Sequence, residues 1–258
     1  MKTYRKPLLI ETVLMLSTLL LIANLLAAAL EVETKVTLDL CTDYVWRGQV
    51  INDEAVLQPS IVITLPVSED GSLSFNVWGN FDFTNSMETE HEFSEIDLIA
   101  SYSHSFSPLG FEAGVIHYTF PHTGSASTSE VYLRASYEFE AIPLSFSLTG
   151  YRDFDEIDGF YGVAEIESNI TVADNLNLGL RLSAGFGNSN FNLGYFGISD
   201  SSFIDGTVFA GLTYKMSNSA SISSGLQYMY LFDDALKDTV SRNNRDKLTA
   251  SFSVRYAF

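Results

Sequence analysis

The sequence predicts an all-β fold, a transmembrane antiparallel up-and-down β-barrel of about 12 strands, with a range of about 10 to 14. Segments of about ten residues alternate between apolar and polar side chains, and the connections between them alternate between long and short. The final segment ends in an aromatic residue. A soluble β-sandwich also has alternating strands, but nothing in that fold requires alternating loop lengths.

The N-terminal segment, residues 1–29, has the features of a signal peptide. Basic residues at its start (Lys2, Arg5 and Lys6) precede a largely apolar run, which ends in Ala27, Ala28 and Ala29. An uncleaved helical anchor is the alternative, because the apolar run is nearly long enough to span a bilayer. We expect cleavage, which leaves residues 30–258 as the barrel.

The composition is strongly acidic, with 14 Lys and Arg against 32 Asp and Glu and a net charge of −18. Removing residues 1–29, which hold three basic residues and one Glu, makes the net charge −20. This charge excludes nucleic acid as a partner, because phosphate would be repelled. The expected partners are membrane lipid, the outer-membrane assembly machinery and small solutes or ions, and no cofactor is predicted.

Twelve segments fit membrane strands, and only the inward face of residues 112–120 is ambiguous. They lie near residues 35–46, 55–65, 72–83, 93–104, 111–120, 129–139, 141–151, 159–170, 175–186, 204–215, 220–231 and 247–258. Long connections follow every odd-numbered segment and short ones every even-numbered segment, as in barrels with extracellular loops and periplasmic turns. The sequence therefore predicts a protein of the bacterial outer membrane, with both ends of the barrel in the periplasm.

The closing segment, residues 247–258, has the clearest two-faced pattern. Its apolar face carries Leu248, Ala250, Phe252, Val254, Tyr256 and Phe258, and its polar face carries Lys247, Thr249, Ser251, Ser253 and Arg255. We expect Tyr256 and Phe258 to lie in an interfacial aromatic girdle that supports assembly, and Tyr44 and Trp46 in the first segment to lie in a girdle as well.

Several stretches resemble the TorF-like (Gcw-type) family of bacterial outer-membrane proteins of unassigned function. They are TDYVWRG at 42–48, NDEAVLQP at 52–59, VWGNFDF at 77–83, SEIDL at 94–98, VIHYTFP at 115–121 and EVYL at 130–133. The resemblance covers most of residues 30–258 and is most specific in the first half. It implies an outer-membrane location and a barrel topology, and it brings no substrate or catalytic residue with it.

The inward positions are mostly small and polar, and such side chains cannot fill a barrel of about 12 strands. Water, a ligand or an inward loop must occupy the rest of the lumen. The charged candidates for setting selectivity are Asp39, Asp43, Arg47, Glu95, Asp97, Arg134, Glu138, Glu165, Glu167, Arg181 and Arg255. Acidic groups outnumber basic ones over all inward positions, which favours cations. Asp43 and Arg47 are too far apart along one strand to pair directly, so each needs a different partner or water.

Two functions remain open, and neither is enzymatic, because the sequence lacks a nucleophile elbow and the common metalloprotease motif. The first is a passive pore for small hydrophilic solutes with a preference for cations. The second is a non-transporting surface protein whose acidic loops bind a partner or divalent cations, and a plug formed by residues 187–203 would favour it. Asp153, Asp155, Glu156 and Asp158 are weak Ca²⁺ candidates, with a solvated acidic loop as the simpler interpretation.

Overall fold

The computed structural model describes residues 32–84 and 91–258. Within them, twelve antiparallel strands close into a barrel, as the sequence predicts. The barrel strands are β1 (Glu33–Cys41), β4 (Val56–Pro66), β5 (Gly71–Asp82), β6 (Glu92–Phe106), β7 (Leu109–Thr119), β8 (Thr128–Phe139), β9 (Leu144–Asp153), β10 (Phe160–Ala173), β11 (Leu176–Gly187), β12 (Ser202–Lys215), β13 (Ala220–Leu231) and β14 (Asp246–Ala257). The predicted signal peptide, residues 1–29, lies outside the described residues, as do Glu88 and Glu90 of the acidic second loop.

Five further elements lie in the long loops: strands β2 (Tyr44–Trp46) and β3 (Gln49–Asn52), helices α1 (Ser189–Phe196) and α2 (Asp234–Lys237), and a short 3-10 helix (Arg242–Asn244). No helix among the described residues is long and apolar enough to cross a membrane. The barrel closes where β1 pairs with both β4 and β14. In the pairing of β1 with β14, the register runs from Lys35 opposite Ala257 to Cys41 opposite Ser251. The chain therefore needs its last strand to complete the wall that its first strand begins.

The outer face of the barrel is an apolar belt. Leucines on six strands are at least half exposed: Leu98, Leu133, Leu148, Leu182, Leu226 and Leu248. Exposing this much apolar surface to water would be unfavourable, whereas hydrocarbon is a suitable solvent for it. The strand pairing satisfies the backbone hydrogen bonds that lipid cannot satisfy.

The connections differ in length at the two ends of the barrel. The short-turn end holds the connections 67–70, 107–108, 140–143, 174–175 and 216–219. The long-loop end holds 42–55, 83–91, 120–127, 154–159, 188–201 and 232–245. The predicted alternation of loop length is confirmed, and it assigns the short-turn end to the periplasm and the long-loop end to the cell surface.

Two sequence-based interpretations change. The first strand ends at Cys41, and Tyr44 and Trp46 belong to the β2–β3 hairpin, so their assignment to an outer aromatic girdle is wrong. The Thr42 N–H is still bonded to the Ala250 carbonyl on β14, and beyond it the chain leaves the wall, where Asp43 and Tyr44 are buried. The ambiguous segment is also settled, since Ile116 and Tyr118 on β7 are buried and face inward.

Candidate functional site in the barrel lumen

The β2–β3 hairpin enters the lumen at the long-loop end. Trp46 pairs with Gln49, which leaves Arg47 and Gly48 as a two-residue turn. Both turn residues have positive φ, 45° for Arg47 and 81° for Gly48, as the right-handed twist of a tight hairpin favours. A Cβ on Gly48 would lie only 2.9 Å from side-chain carbons of both Ile204 and Leu231, so only glycine fits there.

The hairpin reaches both sides of the barrel. On the β5 side, the rings of Tyr44 and Trp78 are 5.6 Å apart, and the Asn52 side chain donates to Asp82 at 2.8 Å. On the opposite side, Gly48 packs against β12 and β13. The hairpin therefore crosses the lumen from one wall to the other.

Arg47 lies in an aromatic pocket with one carboxylate. Its two terminal nitrogens donate to the two oxygens of Glu130 on β8, both at 2.7 Å. The guanidinium carbon lies 4.4 Å from the Trp46 ring, 4.3 Å from Tyr151 and 4.8 Å from Tyr161. The Tyr118 hydroxyl also donates to Glu130 at 2.8 Å. The side chains of Arg47 and Glu130 are 8% and 2% exposed, so this ion pair is shielded from water.

The charged form of Arg47 is stabilised by its surroundings. Burial would lower the pKa of this guanidinium, but Tyr118 and Glu130 outweigh burial and raise the pKa above its ordinary value. A buried ion pair with two parallel hydrogen bonds is specific in its geometry, and losing either partner would leave an uncompensated charge in the protein interior.

Helix α1 packs on the hairpin at the long-loop end. Asn188 caps its N-terminus by accepting from the Phe191 N–H, and Gly197 ends it with a positive φ. Phe191 and Phe196 are buried, and Phe191 lies 6.2 Å from the Trp46 ring. The β2–β3 hairpin and α1 together are called the plug below.

Charged side chains below the plug remain in contact with water. Arg134 lies 3.7 Å from Glu165, and Arg181 lies 3.7 Å from Glu165 and 3.9 Å from Glu167. The side chains of Arg134, Glu167 and Arg181 are each about one third exposed, at 37%, 35% and 36%. These long, solvent-exposed contacts differ from the dry Arg47–Glu130 pair. The solvent-accessible part of the lumen that they line is called the vestibule below.

The remaining lumen candidates divide between the plug and the vestibule. Asp43 is buried and pairs with Lys247 at 2.6 Å, so Asp43 and Arg47 have separate partners, although both lie beyond the end of β1 and not on one strand. Glu95 and Asp97 face inward but are only 7% exposed, and the Tyr44 hydroxyl bonds to Glu95. In the vestibule, Asp39 accepts from Ser253 on the neighbouring strand, and Glu138 and Arg255 are exposed.

Sequence reasoning missed the aromatic part of the site. Tyr118, Tyr151 and Tyr161 face inward on β7, β9 and β10, and Phe191 reaches them from α1. Alternation alone assigns large apolar or aromatic side chains to the lipid face, and here the plug gives them an apolar environment inside. Glu112, which accepts from the Tyr132 hydroxyl, was missed because the sequence left the inward face of residues 112–120 ambiguous.

The acidic loop after β9 does not form the weakly predicted Ca²⁺ site. Asp153 lies inward and accepts from the N–H groups of Asp155, Ile157 and Asp158, and it also accepts from the Thr128 hydroxyl. Asp158 pairs with Arg152. No group of three or more His, Cys, Asp or Glu side chains that could hold a metal ion occurs within residues 32–84 and 91–258. Asp153, Asp155, Glu156 and Asp158 are thus spread by the turn that Asp153 organises.

Solved structures with the same fold include the KdgM porin, at 16% identity and a TM-score of 0.51. That match covers 88% of this chain and 99% of the porin chain. The KdgM porin in complex with disordered oligogalacturonate matches over the same shares at 15% identity, also with a TM-score of 0.51. No curated protein matches the sequence.

At this low identity, the porin structures establish the fold alone. With the apolar belt and the asymmetric loops, that fold places the barrel in the bacterial outer membrane. The model of one family, described as "Bacterial protein of unknown function (Gcw_chp)", matches residues 27–254. That match spans all the barrel strands except the end of β14, and the chain therefore belongs to the Gcw_chp family of bacterial proteins.

Proposed function

We propose that the barrel is a passive, non-enzymatic pore for small hydrophilic solutes with a preference for cations, narrowed at the cell surface by the plug. The wet vestibule carries this proposal. Its partly exposed Glu167 and exposed Glu138 are acidic groups that a passing ion would meet, and the strands around them carry small polar side chains such as Ser145 and Ser147.

Charge on the inner wall supports the cation preference. On the inner faces of the barrel strands, the described carboxylates are Glu33, Asp39, Asp82, Glu95, Asp97, Glu112, Glu130, Glu138, Asp153, Glu165, Glu167 and Asp205. The inward cations of the same strands are Lys35, Arg134, Arg181, Lys215, Lys247 and Arg255. The acidic excess gives the lumen a negative potential that attracts cations.

The plug favours a second candidate function. A barrel with a packed hairpin and helix across its surface end could be a surface protein whose loops bind a partner without transport. The buried contacts of Trp46 and Phe191 are the specific observation in its favour. A measurement of ion conductance distinguishes the two functions, because only the pore would conduct.

The test compares the parent barrel with a variant that lacks the hairpin. Cys41 lies opposite Val56 in adjacent strands, so a short glycine-rich turn can replace residues 43–54 without disturbing the wall. In planar bilayers we expect a small conductance from the parent and a larger one from the variant. The absence of conductance in both, with both shown to be folded by heat modifiability, would overturn the pore and support the surface protein.

A salt gradient tests the charge preference. At about 0.1 M salt the Debye length is about 10 Å, so fixed carboxylates are felt across a narrow lumen, whereas at about 1 M it falls to about 3 Å. We expect a cation-selective reversal potential at the lower concentration that fades at the higher one. Glu167→Gln should reduce the preference and Glu156→Gln in the exposed loop after β9 should not, while equal effects of the two would contradict the charge argument.

A further inference from the structure

The surroundings of Arg47 have the chemistry of a guanidinium-binding site. Glu130 accepts two parallel hydrogen bonds, which is the geometry that a planar guanidinium matches and an ammonium does not. Tyr151 and Tyr161 place their rings within 4.8 Å of the cation, as in aromatic cages for organic cations. Glu130, Tyr151 and Tyr161 lie on three neighbouring strands of the wall, β8, β9 and β10, so this part of the pocket belongs to the barrel, and the hairpin adds the Trp46 ring.

Arg47, which occupies this pocket, lies in a strained turn. Arg47 has a φ of 45°, a conformation that costs a non-glycine residue free energy and that asparagine or glycine would adopt more easily. Residues in such conformations persist where surrounding contacts fix them. The contacts that fix Arg47 are those of its guanidinium, so the docked position of the hairpin depends on the filled pocket.

We propose that Glu130 and the rings of Tyr151 and Tyr161 form a binding site for a guanidinium group, which Arg47 fills as a tethered occupant that holds the hairpin across the lumen. When Arg47 is absent, a small solute with a guanidinium group binds in its place. This accounts for the presence of arginine at position 47, where asparagine or glycine would adopt the positive φ more easily. The binding site stands independently of transport, and its effect on conductance rests on the proposed pore.

The experiment empties the pocket and measures the position of the hairpin. Cys41 is first replaced by Ser, and Val50→Cys in the half-buried β3 strand then reports accessibility to a maleimide. With Arg47→Ala added, we expect the labelling rate to rise at least about tenfold, equivalent to a loss of about 1.4 kcal/mol of docking free energy. Arg245→Ala is the matched control, because Arg245 pairs with Asp238 in an outer loop, and it should leave the rate unchanged.

Ligand binding to the empty pocket is tested with a matched pair of small cations. Agmatine carries a guanidinium and an amine, and putrescine carries two amines with the same total charge. Binding to the detergent-solubilised Arg47→Ala protein is measured by calorimetry, with agmatine expected to bind at least about tenfold more tightly than putrescine. Adding Glu130→Gln to Arg47→Ala should abolish that difference, because the neutral amide offers one acceptor in place of two.

Each outcome decides one claim. Folded Arg47→Ala protein that labels at the parent rate would overturn the role of Arg47 in holding the hairpin, and equal binding of agmatine and putrescine would overturn the guanidinium site. If Arg47→Ala does not fold, Arg47→Lys keeps the charge without the planar fork, and faster labelling of that variant supports the proposal while the parent rate refutes it. If labelling and binding behave as expected but no variant conducts, the guanidinium site stands and the proposed pore fails.

Discussion

The Nζ atom of Lys247 lies 2.6 Å from the Oδ1 atom of Asp43, so the last strand of the barrel holds the base of a hairpin that follows the first strand. Asp43 is 6% exposed and Lys247 is 19% exposed. The pair fixes the hairpin at one end, and Arg47 with Glu130 fixes it at the other.

The first prediction concerns this base. Lys247→Met should lower the free energy of unfolding by about 2 to 4 kcal/mol, because it leaves the buried Asp43 charge unpaired. Asp43→Asn together with Lys247→Met should cost less than the sum of the two single changes. Urea unfolding in micelles can be followed by tryptophan fluorescence, since the only two tryptophans of the sequence, Trp46 and Trp78, both lie at the hairpin. If the losses of unfolding free energy in the two single variants add up to the loss in the double variant, Asp43 and Lys247 are not energetically coupled.

The second prediction concerns the hairpin turn. Gly48→Ala should destabilise the protein by more than about 2 kcal/mol, because it adds a clash with Ile204 and Leu231 to the cost of a positive φ. Gly124→Ala is the control, since Gly124 has a φ of 78° and no neighbouring atom within 4 Å of an added Cβ. The control should cost only about 1 kcal/mol in the same unfolding assay. Equal losses would mean that backbone strain alone determines the need for glycine at position 48.

The third prediction concerns the aromatic residue at position 258. The ring of Phe258 lies 4.8 Å from that of Tyr256, and its N–H donates to the Thr34 carbonyl at 2.9 Å across the closing seam. Deleting Phe258 removes both contacts and should reduce the yield of heat-modifiable folded protein, whereas Phe258→Tyr should retain most of it. A normal yield of folded protein after the deletion would show that Phe258 is not needed for assembly.

The fourth prediction concerns orientation. An epitope inserted between Gly124 and Ser125 in a long loop should be accessible to antibody on intact cells, and one between Ser217 and Asn218 in a short turn should be accessible only after the outer membrane is permeabilised. The insertion points avoid α1, whose buried Phe191 makes its loop unsuitable for a tag. Labelling in the reverse pattern would invert the topology.

The barrel wall was predictable from sequence because each strand faces two different solvents. The β13 strand was predicted at residues 220–231 and is found as Ala220–Leu231. Lipid demands apolar side chains at every second position, and water in the vestibule permits serine and threonine between them, so the period of two is strong wherever both solvents are present.

The hairpin part of the plug was not predictable by the same reasoning. Near the long-loop end the inner face is packed by protein, so Ile116 and Tyr118 are as apolar as their lipid-facing neighbours and the period disappears. One signal was available: Arg47-Gly48 stands between two strand-like segments, Tyr44-Val45-Trp46 and Gln49-Val50-Ile51, as the turn of a two-residue hairpin does. Predicting a hairpin from this pattern would have required an arginine at a positive φ. The contact of Arg47 with Glu130, which only the structure reveals, explains why arginine occurs there.

The order of these contacts along the chain limits when the plug can form during folding. Residues 42–55 precede nearly all of the wall, yet Gly48 packs against Leu231 and Asp43 pairs with Lys247. Contacts between residues this distant in sequence require closure of a very long loop of chain, which is entropically unfavourable until the intervening strands are in place. We therefore expect the hairpin to dock only once β12 to β14 are in place, so that the fluorescence of Trp46 reports a late event of folding although its segment is among the first to be made.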